Sequence, residues 1–131
     1  MADAVSTIYL AKGPRYAIVR LTNISDGTGE SAVKKVDVSA LAVNGATPPT
    51  KLSIKEIQWT VQGFTYVELT WDHTTPIVAD LLAPGNGYRE YGLLGMLNDP
   101  GGAGGTGSIM LTTAGAVSGA TYDIVLELTL S

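Results

Sequence analysis

The chain has 131 residues, of which 45% are hydrophobic and 15% charged, with no cysteine and a net charge of −4. That length fits one domain able to remove roughly two-thirds of its unfolded surface from water, and the composition excludes intrinsic disorder. Disulfides, thiolate metal sites and a cysteine nucleophile are excluded outright, the acidic balance argues against a nucleic-acid partner, and no run approaches the roughly 20 apolar residues that span a bilayer.

Residues 1–6 are small and polar and predict a flexible N-terminal arm, or a strand added to a neighbour, ahead of a single domain over 7–131. They lack the basic start and apolar run of a secretory signal, so synthesis in the cytoplasm is expected. Thr7 to Ala11 predicts a short strand ended by Gly13-Pro14, and the segment from Arg15 alternates Ala17, Val19 and Leu21 with Tyr16, Ile18, Arg20 and Thr22. Ser25 to Ser31 reads as a loop. Val33 to Leu41 resumes the alternation, with Val36 and Val38 inward against Lys35 and Asp37, and the pair Lys34-Lys35 reads as solvated. Asn44-Gly45 and Thr47 to Thr50 form a turn and a connection.

The stretch from Leu52 to Trp71 predicts two antiparallel strands joined at Gln62-Gly63, with both tryptophans, Trp59 and Trp71, in the core. Leu52 and Ile54 are out of phase with Ile57 and Trp59, which predicts a β-bulge at Lys55-Glu56. A turn at Asp72 to Pro76 precedes a buried strand from Ile77 to Leu82, ended by Pro84 to Gly87. Tyr88 to Leu97 predicts a strand or irregular loop, because Gly92 and Gly95 weaken a helix. Residues 98–107 hold five glycines and predict a mobile connection. Ser108 to Thr113 and Ala120 to Leu130 are the last strands, the final one with Tyr122, Ile124, Leu126, Leu128 and Leu130 on a single row. Eight or nine such short strands predict an all-β fold of two antiparallel sheets face to face, a β-sandwich or jelly roll, with a barrel as second choice.

No catalytic pattern emerges. His73 is the only histidine; Asp72 is placed to orient it, but no Gly-x-Ser-x-Gly elbow supplies a nucleophile, and a turn histidine is the expectation. Asp26, Glu30 and Asp37 do not match a calcium loop. The glycine run lacks the Gly-Lys-Ser/Thr ending of a phosphate loop, and Asn23-Ile24-Ser25 is a chance sequon. No enzyme activity, cofactor or metal is expected. Tyr88, Arg89 and Tyr91 beside a loop have the residue types of a binding hot spot, or else cap one end of the sandwich.

The run from Arg15 to Ser39, with Leu69-Thr70-Trp71-Asp72, the glycines before Gly107-Ser108-Ile109, and Thr112 to Gly115, resembles small virion-associated proteins of tailed bacteriophages. The resemblance implies a capsid decoration (cement) protein on the virion surface, a homo-oligomer partnered by the major capsid protein, with neither nucleic acid nor membrane as partner. Candidate contacts are then Ala2, Asp3, Ala4, Val5 and Ser6 of the arm together with Tyr88, Arg89 and Tyr91. A carbohydrate- or receptor-binding virion module is the alternative, and a small hydrolase a remote third.

Overall fold

The computed structural model describes residues 3–13, 15–41, 50–92, 95–99 and 104–130, apart from the side chains of Ser39 and Ala40. Their strands are β1 (Ala4–Lys12), β2 (Tyr16–Asp26), β3 (Val33–Val36), β4 (Leu52–Gln62), β5 (Tyr66–Trp71), β6 (Ile77–Leu82), β7 (Gly85–Glu90), β8 (Leu97–Asn98), β9 (Ile109–Ala114) and β10 (Ser118–Leu130), with a 3-10 turn at Val38–Leu41. They form two antiparallel sheets. The larger runs β1-β2-β10-β4-β7 with β8 also on β4, and the smaller runs β3-β9-β5-β6. Without β1 and β8, the remaining eight follow the jelly-roll order, successive strands crossing between the sheets at most connections.

The period-two pattern explains the layering. Ala17, Val19 and Leu21 of β2, Ile57 and Val61 of β4, and Tyr122 to Leu130 of β10 turn one row inward, against Val67, Leu69 and Trp71 of β5 and Ile109 and Leu111 of β9. The β10 row is inward over its whole length because β10 is flanked by β2 and β4 for most of its residues. The bulge expected at Lys55-Glu56 is present: Glu127 lies opposite Glu56 and Leu128 opposite Ile54, so Lys55 is the extra residue that keeps Leu52 and Ile54 inward.

Five expectations are corrected. Leu52 to Trp71 is not a hairpin, because β4 belongs to the larger sheet and β5 to the smaller. Gly63 makes the turn at φ +83 and Phe64 is buried between the sheets, while the Thr65 amide bonds to the Ala114 carbonyl at 2.8 Å; burying Phe64 carries the chain across. Of the two tryptophans only Trp71 is fully buried. Residues 4–6 are not a free arm: Ala4, Val5 and Ser6 lie opposite Ile24, Asn23 and Thr22, lengthening the strand expected at Thr7 to Ala11 into a nine-residue edge. Lys35 is buried, not solvated, since a register shift between Lys34 and Val36 turns its ammonium inward onto the Glu30 carboxylate. Gly85 and Gly87, read as a strand end, open β7 instead. Asn44-Gly45 and Thr47 to Pro49 lie outside the described residues, as does most of the first half of the glycine run.

Candidate functional site

The larger sheet has one face in the core and one toward solvent, and the outer face carries a concavity. A groove of about 590 Å³ crosses all five main strands, lined by Leu10 of β1, Arg20 of β2, Asp123 and Val125 of β10, Gln58, Trp59 and Thr60 of β4, and Asn86, Gly87 and Tyr88 of β7. Gln58 and Thr60 are there because Ile57 and Val61 take the inward row. Arg20 and Asp123 form a two-point pair, Nε to Oδ1 at 3.0 Å and Nη2 to Oδ2 at 2.5 Å, and these bonds raise the guanidinium pKa. The Tyr88 ring, half exposed, is held by its hydroxyl between Glu56 and Glu90; the bond to Glu56 is the main reason its ionisation is pushed up. The result is a floor of amide, hydroxyl and paired-charge groups with an aromatic wall.

Beside the groove the outer face turns apolar. Ile24 (63% exposed), Leu10 (56%), Ile8 (50%) and Tyr16 (50%) lie on β1 and β2, the sheet's first two strands. Ile8 sits opposite Arg20 and Ile24 opposite Ala4, both on the row that faces away from the core.

The cluster from Tyr88 to Tyr91 divides between both readings offered for it. Tyr88 faces the groove. Arg89 and Tyr91 instead close the sandwich edge on Asp80 of β6: Arg89 Nη1 and the Tyr91 hydroxyl (3.0 Å) both donate to a carboxylate only 5% exposed. Burial, followed by Asp80, raises the Tyr91 pKa. The Arg89 guanidinium also lies 5.0 Å from the centroid of the Trp59 ring, which passes so close over Gly87 that a Cβ there would be 2.0 Å from Cζ2.

Asp3 marks the start of β1 with a dense set of bonds. Its carboxylate accepts from Asn23 Nδ2 (3.0 Å), Ser25 Oγ (2.9 Å) and the amides of Asp26 (3.2 Å) and Gly29 (3.1 Å). Burial acts to raise its pKa, but these bonds outweigh it and hold it at about 2. Asn23 Nδ2 also donates to Glu30 (2.9 Å), which accepts from the Tyr122 hydroxyl (2.5 Å) and pairs with Lys35. Ala4, Val5 and Ser6 follow as exposed strand residues, and Ala2 lies outside the described residues.

His73 is buried, with Nε2 2.6 Å from Asp99 Oδ1, so Asp99 and not Asp72 orients the ring. Asp72 takes the Thr106 hydroxyl at 2.7 Å and lies 3.5 Å from the Lys34 ammonium. The imidazole Nδ1 meets no hydroxyl among the described residues. Asp26 bonds the Thr28 amide and Glu30 pairs with Lys35, so these two do not converge, and no group of three or more potential metal ligands occurs among the described residues. Nor is any described helix long and apolar enough to cross a membrane.

Arg20, Gln58, Thr60, Asn86 and Asp123 were not singled out by sequence reasoning, because Asn86 reads as part of a strand end and each of the others looks like an ordinary outward residue of its own strand. Their only signal is the outward row itself. It becomes a site once the order β2-β10-β4-β7 places those rows side by side.

No protein-family model matches the chain, and no curated protein matches it. Among solved structures it is similar to a mutant family 29 carbohydrate-binding module, made to probe ligand recognition by that family. The likeness spans 98% of this chain and 92% of that one, at 8% sequence identity and a TM-score of 0.42.

Proposed function

We propose that the chain is a non-enzymatic structural protein of a virion, a capsid decoration module that lays the outer face of its larger sheet on the major capsid protein. The observation that carries this reading is the apolar half of that face, where Ile8, Leu10, Tyr16 and Ile24 stand half or more exposed on adjacent strands. Outward rows of an antiparallel sandwich are ordinarily polar, and these large apolar side chains, interrupted on the same face by Ser6, Arg20 and Thr22, are the exposed surface that contact with a partner would cover. The sequence resemblance from Arg15 to Ser39 supplies the partner. Attachment of this kind needs no moving part: each copy buries a modest patch, and many copies on one shell, or several patches on one oligomer, gain strength through effective concentration. The test is binding to heads of the encoding phage from which this chain has been stripped. The double variant Tyr16→Lys/Ile24→Lys is expected to lose at least about tenfold in occupancy, equivalent to about 1.4 kcal/mol, with thermal unfolding unchanged. Absence of wild-type binding, or equal binding by the variant, refutes the reading.

The groove favours a second reading, a carbohydrate-binding module. Gln58, Asn86, Thr60 and the Arg20–Asp123 pair offer planar, paired donors and acceptors beside the Tyr88 ring, the mix that recognises vicinal hydroxyls while an aromatic face covers sugar C–H groups. A glycan-array signal lost in Gln58→Ala, without any affinity for heads, would select this reading over the first.

A further inference from the structure

We propose that the free edge of β1 pairs with β1 of a second copy of this chain, antiparallel about a two-fold axis, so that two larger sheets run on as one. This gives the expected self-association a surface, and it stands whether or not the partner of the outer face is a capsid.

Among the described residues the long edges of the sheets, β1, β3, β6 and β7, are unlike one another. β3 is only four residues long and carries Lys34 and Lys35. β6 is interrupted by a register shift between Leu69 and Thr70 of its partner and holds the inward carboxylate Asp80. β7 begins with two glycines and ends with Arg89 and Glu90. Short length, charge, irregularity and glycine are the devices by which sheet proteins keep an edge from pairing. β1 has few of them: nine residues, uncharged from Ala4 through Ala11, in register with β2 from Ala4 to Tyr9, with its one register shift confined to the far end, between Tyr9 and Ala11. Its outer backbone edge forms a template on which another strand can add.

Self-pairing suits its sequence. Lys12, at its end, is the one charged residue of the strand, so antiparallel copies keep the two lysines at opposite ends and no like charges meet between them. With the axis near Thr7, Ile8 lies diagonally across from its counterpart and Val5 faces Tyr9 of the other copy, Val5 and Ile8 each being about half exposed. In an isologous pair the residues facing one another at the axis are identical, and the uncharged centre of β1, Ser6 to Ile8, tolerates that. The outer faces of the two sheets also become continuous, which joins the apolar patches around Ile8 and Ile24. A contact built mainly on one strand is small, so the dimer is expected to dissociate on dilution through the micromolar range.

Sedimentation velocity of the full chain over a concentration series tests this, together with Val5→Lys/Thr7→Lys, which sets like charges across the axis at positions already exposed in the single copy. The wild type is expected to dimerise and the variant to stay monomeric with an unchanged melting temperature. Because the chain has no cysteine, Thr7→Cys supplies an independent readout: oxidation should cross-link it far more than Thr75→Cys in the exposed loop after His73. A wild type that is monomeric throughout overturns the proposal, as does a dimer that survives the lysines or a Thr7→Cys yield no higher than the control. Should β1 instead take a capsid-protein strand, the chain alone stays monomeric while the two lysines abolish head binding. That outcome ends the second-copy assignment and leaves the virion reading intact.

Discussion

A single carboxylate, Asp3, decides whether the first residues are an arm or a strand. Small polar residues at a chain start carry no hydrophobic signal, so the sequence alone offers no reason to order them. What orders them is a set of donors gathered from elsewhere: Asn23 and Ser25 on the inward row of β2, and the amides of Asp26 and Gly29 in the following turn. Replacing Asp3 by Ala leaves these donors without their acceptor and is expected to cost about 1–2 kcal/mol at neutral pH, a range reduced for the partial exposure of the site. The pH dependence has a definite sign. The folded-state pKa, about 2, lies below the ordinary 3.8, so the contribution is complete above 3.8 and is lost as pH falls through about 2. Urea unfolding of wild type and Asp3→Ala should therefore differ at neutral pH and converge across that acid window. A constant gap down to pH 2 would show that the charge is not what holds the segment.

At the scale of elements, phase was legible and pairing was not. The extra residue in β4 could be read directly, because Leu52 and Ile54 sit on even positions and Ile57 and Val61 on odd ones, yet all four are buried. The same stretch gave no sign that its two strands part company. Gln62-Gly63 reads as a hairpin turn, and whether the next strand returns to β4 or crosses depends on Phe64 finding a buried site and on β10 already occupying the β4 edge. Those are facts about distant residues. The bulge makes a sharp prediction about deletions. Removing Lys55 leaves Leu52, Ile54, Ile57 and Val61 on one regular row, at the cost of the Lys55–Glu127 ion pair and the 2.7 Å bond from the Tyr91 amide, roughly 1–2 kcal/mol in all. Removing Gln58 instead throws Val61 out of phase with Ile57, turning core residues to solvent. Thermal melts should show a folded, slightly weakened Lys55 deletion and no cooperative transition for the Gln58 deletion. Equal behaviour would mean that the bulge does not set the register.

For the whole molecule, chain order and spatial order oppose one another. The all-β class and the sandwich were legible because nearly every strand alternates, and the outer-face groove was not, because it exists only where rows from β2, β10, β4 and β7 lie together. The last strand made is the middle of the larger sheet, flanked by β2 and β4, while the first is its edge. Folding must therefore wait for the C-terminal residues, and long-range closure of this kind is slow. The two ends should respond differently to truncation. Ending the chain after Val117 removes the buried Tyr122, Ile124, Leu126, Leu128 and Leu130, each worth about 1.5–3 kcal/mol, together comparable to the entire stability of about 5–15 kcal/mol expected of a domain. It also strands the inner edges of β2 and β4. Removing the first twelve residues takes away, among those described, side chains that are already largely exposed, apart from Tyr9, Ala11 and the Asp3 anchor. Circular dichroism is expected to show a β-sheet spectrum and a cooperative, lowered melt for the N-terminal truncation, and an unfolded chain for the C-terminal one. A cooperative melt from the chain ending at Val117 would mean that β10 is an addition to a sandwich that stands without it.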